Sequence, residues 1–169
     1  AEYDPTAPIR SIAVLPLEDF SSDGSFQYFV AGMHEELIAA CKARGIMFLS
    51  SPFDEESADL LTSLGVAAFK IPSGEITNLP FLSHIARKGK PMIVSSGMSY
   101  LGEVETAVET IGRAGNDQIV LLHCVSNYPT DPADVNLRAM HTMAAAFNAP
   151  VGYSDHTLGI EIPIAAVAL

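Results

Sequence analysis

A lysine and a series of serines recur in this sequence just past short apolar runs. Ser50-Ser51 follow Phe48-Leu49; Lys70, Ser73 and Glu75 follow Phe69; Ser95-Ser96 follow Val94; His123 and Ser126 flank Cys124; Ser154-Asp155-His156 follow Tyr153. Small hydroxyls and one ammonium group suit a phosphorylated anion. Lys70 supplies a point charge, while Ser51, Ser73 and Ser95 supply neutral donors. Taken singly, each serine also reads as a turn residue. Lys70, set between Phe69 and Ile71, is less comfortable as a solvated charge and is assigned to the site. Glu75 beside Gly74 contacts substrate hydroxyls or favours the next helix start. The imidazoles of His123 and His156 are able to bind a divalent metal or move a proton. No HExxH or CxxC cluster is present. His123 is therefore read as a satisfied core histidine and Cys124 as an inert core thiol, with His34, His84 and His141 as surface residues on helices. Without a GxxxxGK[ST] or GxGxxG loop, a nucleotide cofactor has no support.

These groups need a scaffold that brings them to one rim. Apolar runs rich in Val, Ile and Phe at 12–17, 46–49, 66–69, 92–94, 119–123 and 151–153 read as strands. Amphipathic stretches at 26–43, 55–64, 79–87, 102–114, 135–147 and 160–169 read as helices. Alternation of the two predicts βα units and a parallel sheet with right-handed connections. Gly45, Gly65, Gly89 and Gly115 close helices. Ala58, Leu60, Leu61 and Leu64 form one apolar face, and Asp54, Glu55 and Glu56 suit that helix's positive end. In parallel α/β proteins ligands sit beyond the carboxyl ends of the strands, where the lysine, the serines, Glu75, His123 and His156 fall.

Composition narrows the class. The 169 residues suit one domain, preceded by an extended lead-in over 1–10. A formal charge of −11 argues against nucleic-acid and anionic-membrane partners. Two cysteines in apolar runs read as reduced thiols of a cytoplasmic protein. No apolar stretch is long enough to span a bilayer, and the opening residues are unlike a signal peptide.

Several segments, in this order, resemble the N-acetylneuraminate (sialic acid) synthase family. They are Phe48-Leu49-Ser50-Ser51-Pro52-Phe53-Asp54, Lys70-Ile71-Pro72-Ser73-Gly74-Glu75-Ile76-Thr77-Asn78, Ser95-Ser96-Gly97-Met98, Leu122-His123-Cys124-Val125-Ser126-Asn127-Tyr128-Pro129-Thr130 and Gly152-Tyr153-Ser154-Asp155-His156-Thr157. The resemblance covers residues 37–169. It implies a (β/α)₈ barrel that condenses phosphoenolpyruvate with N-acetylmannosamine or a related acylated sugar, using a divalent metal such as Mn²⁺. It further implies that Ser51, Lys70, Ser73, Ser95 and Ser154 hold phosphoenolpyruvate and that Glu75 and Tyr128 contact the sugar. Ser126 lies near the ligand by the same resemblance, and His156 is one of two metal-ligand histidines.

Departures from the family pattern shape the expectation. Residues 1–40 match neither the acidic residue nor the lysine-and-glutamine segment of the family's first strands. The strand with the second metal histidine and the arginine-bearing C-terminal domain are also lacking. The opening, Ser11-Ile12-Ala13-Val14-Leu15-Pro16-Leu17 with Tyr28 through Ile38, resembles a small α/β domain of bacterial regulators and adenylate-cyclase-associated proteins. The expectation is a chimera: a foreign βα unit over 11–40 joined to a partial barrel over 41–169. Its fold would be a truncated, curved, TIM-barrel-like parallel sheet of six strands, with an open doubly wound sheet as the alternative. Six strands fall short of the eight in a full barrel, so exposed edges predict homo-oligomers. Three functions follow in order of preference: a synthase-type enzyme whose isolated chain lacks turnover, a scaffold with weak anion binding, and a regulatory module.

Overall fold

Helix α1, Gln27–Ala43, ends where Gly45 takes a left-handed conformation (φ +66°), as the sequence predicts for a residue without Cβ. It lies between strands β1, Ile12–Val14, and β2, Met47–Leu49, which pair in parallel with Ile12 opposite Met47 and Val14 opposite Leu49. The computed structural model describes residues 12–14 and 27–169, with side chains from residue 32 onward. The lead-in over 1–10 and the rest of the first expected strand lie outside the described residues. Helix α2, Glu55–Ser63, is capped by Asp54, whose carboxylate accepts the Ser57 N–H at 2.6 Å. It buries Ala58 and Leu61. His34, expected at the surface, is instead 2% exposed and meets the Phe48 ring edge-on at a centroid distance of 6.0 Å. A helical pattern alone did not reveal that this position faces β2.

The chain divides at Phe69/Lys70 into two units. The second contains a four-stranded sheet in the order β3-β4-β5-β6. Its elements are β3 (Phe69–Ile71), the 3₁₀ turn η1 (Ser73–Glu75), α3 (Leu79–Ala86), β4 (Met92–Ser95), α4 (Leu101–Arg113), β5 (Ile119–Cys124), η2 (Pro132–Asp134), α5 (Arg138–Phe147), β6 (Val151–Ser154) and α6 (Glu161–Val167). Parallel ladders align Ser95 with Leu122, and Cys124 with Ser154. The described ladders therefore form a two-stranded and a four-stranded parallel sheet, where the sequence predicts a single sheet of six.

Two boundaries moved. Strand β3 begins at Phe69, three residues after the expected start at Val66, so Lys70 lies inside the strand and does not follow it. Helix α5 begins at Arg138 because Val135 keeps an extended backbone (φ −78°, ψ 118°) after η2. Elsewhere the caps explain the bounds. The Asn78 side chain accepts the Phe81 N–H at 3.4 Å to start α3, and Glu103 reaches back to the Tyr100 N–H at 2.7 Å to start α4.

Packing sets which strand face carries chemistry. Helix α3 buries Phe81, Leu82, Ile85 and Ala86, and α4 buries Val104, Ala107 and Ile111, each large side chain contributing about 1.5–3 kcal/mol. Along β5, Ile119, Leu121 and His123 are buried, whereas Val120 and Leu122 are half-buried, the alternation expected of a pleated strand. The ladders carry that alternation across neighbours. Ser95, Leu122, Cys124 and Ser154 share one face, and His123 and Tyr153 share the other. No described helix is long and apolar enough to cross a membrane.

Candidate functional site

Lys70 projects from the middle of β3, and its Nζ donates to Ser95 Oγ on β4 at 2.7 Å and to the Ile71 carbonyl at 3.1 Å. That bond places the lysine on the sheet face shared by Ser95, Cys124 and Ser154. Burial pushes its pKa below the ordinary lysine value of 10.5, with Cys124 partly opposing the shift. The result is a cation deprived of water and aimed at the strand ends, which favours an incoming anion. Ser95 is 2% exposed.

A second hydroxyl pair forms from two other loops. Ser73, at the start of η1, and Ser126, past β5, lie 3.0 Å apart through their Oγ atoms. Gly97, past β4, sits against both. A Cβ there would overlap Ser73 Cβ and lie 2.5 Å from each of the Ser73 and Ser126 Oγ atoms. Gly97 also holds a positive φ of +49°. The sequence reading missed this glycine, although Ser95-Ser96-Gly97 was in plain view. The three loops that follow β3, β4 and β5 therefore meet at one point.

A third group gathers past β5 and β6. His156 Nδ1 donates to the Val125 carbonyl at 2.6 Å, and the Tyr128 ring lies against its imidazole at a centroid distance of 4.1 Å and a tilt of 32°. Thr130 pins the two loops together. Its N–H donates to the His156 carbonyl at 2.8 Å, and its hydroxyl donates to the Asn127 carbonyl at 2.8 Å. Asp155 accepts both the N–H and the hydroxyl of Thr157, at 2.9 and 2.8 Å. The Asp155–Thr157 and Thr130–Asn127 bonds are local turns, whereas the contacts of His156 with Val125, Tyr128 and Thr130 and the isolated bridge between Thr130 and Thr157 are tertiary and had no signal in the sequence.

The remaining expected site residues are placed as follows. Ser154 is half-buried at the end of β6, level with Cys124. Glu75 accepts from Asn78 Nδ2 at 2.8 Å, so its carboxylate also steadies the cap of α3. Ser51 belongs to the first unit, past the end of β2. His123 is a core residue, as expected, yet not a satisfied one: its Nε2 and the Tyr153 hydroxyl are both buried without a hydrogen-bond partner. Burial lowers the His123 pKa. The Tyr153 pKa is pushed up to about 12, first by burial and then by the neighbouring Asp155 carboxylate.

His156 fits one position of a divalent-metal site. With Nδ1 protonated and tied to a carbonyl, Nε2 keeps a lone pair, the tautomer that metal-binding histidines adopt. Among the described residues no three His, Cys, Asp or Glu side chains are grouped to hold an ion, so these residues supply one ligand and not a complete site.

The family follows from comparison. A model described as the NeuB family matches residues 25–169. The chain belongs to the NeuB family. Its match takes in Tyr28 through Ile38, which the sequence reading assigned to a foreign unit, and no comparison supports a chimera. The chain is 53% identical over 140 residues to the N,N'-diacetyllegionaminic acid synthase of Legionella pneumophila, covering 80% of this chain and 39% of that relative. It is similar, at a TM-score of 0.79 and 35% identity, to the N-acetylneuraminic acid (sialic acid) synthetase of Leptospira borgpetersenii in complex with citrate, covering 86% of this chain and 54% of that one. A truncated 3-deoxy-D-arabino-heptulosonate 7-phosphate synthase of Thermotoga maritima shares the fold, at a TM-score of 0.73 and 19% identity, over 92% of this chain and 60% of that one. This NeuB-family chain spans about two fifths of the length of the curated relatives it matches.

Proposed function

We propose that this chain is the phosphoenolpyruvate-holding part of a sugar-acid synthase, which joins that acid to N-acetylmannosamine or a related acylated amino sugar. The observation that carries the reading is the Lys70–Ser95 bond of 2.7 Å across neighbouring strand ends. A partly desolvated ammonium steadied by a buried hydroxyl favours a phosphate or carboxylate group. Ser73, Ser126 and Ser154 are proposed as further donors, and Glu75 and Tyr128 as contacts for the sugar. His156 Nε2 would hold one position of a divalent ion such as Mn²⁺. When bound, that ion supplies Lewis-acid polarisation of the sugar's carbonyl. The fold of the solved relatives favours a partial TIM-barrel-like sheet. Two buried free thiols favour a reducing, cytoplasmic setting.

The lack of a three-ligand metal group among the described residues favours a second reading, in which the chain binds the phosphorylated acid without turning it over. Titration with phosphoenolpyruvate, followed by a phosphate-release assay with N-acetylmannosamine and Mn²⁺, separates the two. Release that disappears in Lys70→Ala supports the synthase. Lys70-dependent binding without release supports the second reading. Absence of binding sinks both.

A further inference from the structure

The Ser73–Ser126 pair raises a question of construction: what lets hydroxyls 53 residues apart in sequence come within 3.0 Å? Each rides on a separate loop, one opening η1 and the other leaving β5. The loop between them in the sheet order, past β4, carries Gly97. Two independent features of Gly97 bear on the answer. Its φ of +49° lies in the left-handed region, which residues with a Cβ adopt at a cost. Its missing Cβ also leaves room that Ser73 and Ser126 together fill. The nearest atoms such a Cβ would meet all belong to the two hydroxyl-bearing side chains.

We propose that Gly97 is a positioning residue for the phosphorylated ligand: its bare Cα is the floor on which the Ser73 and Ser126 hydroxyls close, and any side chain there drives them apart. The proposal rests on the functional reading above for its ligand and on geometry alone for its mechanism. In this role Gly97 acts through the two serines.

The test uses the full chain and phosphoenolpyruvate as the probe, in wild type, Gly97→Ala, Ser126→Ala and the double variant. Gly97→Ala is expected to weaken binding about tenfold or more while circular dichroism stays that of the wild type. In the Ser126→Ala background, where the pair is already lost, the same change is expected to weaken binding by much less, because both substitutions act on one unit. Equal fold losses in the two backgrounds, or wild-type affinity in Gly97→Ala, would overturn the proposal. Should Gly97→Ala not fold, the double variant Ser73→Gly/Gly97→Ala carries the test: restored folding, once the Ser73 side chain is removed, supports the clash, and continued failure to fold overturns it. Carbon-13 Cβ resonances of Ser73 and Ser126 give a readout that needs no ligand. If wild type does not bind phosphoenolpyruvate, the functional reading fails by itself. Movement of both resonances in Gly97→Ala then still supports the positioning role, and unmoved resonances defeat it.

Discussion

Replacing Lys70 by methionine separates what the ammonium does for a ligand from what the side chain does for the fold. Methionine keeps the apolar stem and deletes the charge and the donors. In the free chain the change removes bonds to Ser95 Oγ and the Ile71 carbonyl. Ser95, 2% exposed, then holds an unpartnered hydroxyl, at a cost of about 1–3 kcal/mol. Against this, a desolvated ammonium is no longer held out of water, which acts in the opposite direction. Stability by urea denaturation is therefore expected to fall by less than that cost. The ligand has no such compensation. Loss of a charge-assisted hydrogen bond, about 1.5–3 kcal/mol, is about tenfold to hundredfold in affinity for phosphoenolpyruvate by titration calorimetry. The pH dependence follows with a definite sign. Lys70 titrates below 10.5 when folded, so wild-type affinity falls as pH rises through that lowered value. Over the same window up to 10.5 the unfolded chain binds the extra proton, so this group makes stability rise with pH, and methionine abolishes the rise. Affinity of Lys70→Met within twofold of wild type would refute the idea that the ammonium faces the ligand.

Other consequences follow from groups away from the ligand face. Tyr153→Phe removes a buried hydroxyl without a partner, so stability at neutral pH is expected to hold or rise by up to about 1 kcal/mol; a clear loss would mean that the hydroxyl has a partner. Because the folded Tyr153 pKa is about 12 against 10.0, this group makes wild-type stability fall as pH rises from 10 toward 12, and Tyr153→Phe is expected to lose that contribution in alkaline denaturation series. Asn116→Ala should cost about 1–3 kcal/mol in chemical denaturation. The side chain, 2% exposed, donates to the Lys90 carbonyl at 2.8 Å and accepts the Gln118 N–H at 3.0 Å, tying the end of the α3 region to the approach of β5. A change below about 0.5 kcal/mol would show those backbone groups satisfied by other means.

How far residues alone foretell such a site depends on the range of the interaction. Local rules worked where the cause is local. Asp54 starts α2, Gly45 ends α1, and each expected helix is found within about three residues of its observed bounds. The placement of polar groups at strand ends was legible because parallel βα alternation sends all carboxyl ends one way. What stayed hidden required pairing between strands. Nothing near Ser126 in sequence points to Ser73, and Gly97 reads as a turn glycine until both loops are seen around it. Nor does the sequence tell which face of β5 His123 takes; the ladder to β6 decides that, placing it opposite Tyr153 and away from Lys70. His34 failed for the same reason, since its burial depends on Phe48 in a neighbouring strand.

The alternation along β5 has a consequence for how such a protein changes over time. Residues at odd positions, Ile119, Leu121 and His123, are buried on one face of the strand, while Val120 and Leu122 are half-buried on the face they share with Ser95 and Ser154. Two alphabets are thus interleaved on one strand and kept apart by the pleat. Substitutions can accumulate in the even set and retune what is recognised, while the odd set goes on holding the architecture. A lineage built this way is free to change one face of the strand without first inventing a new frame.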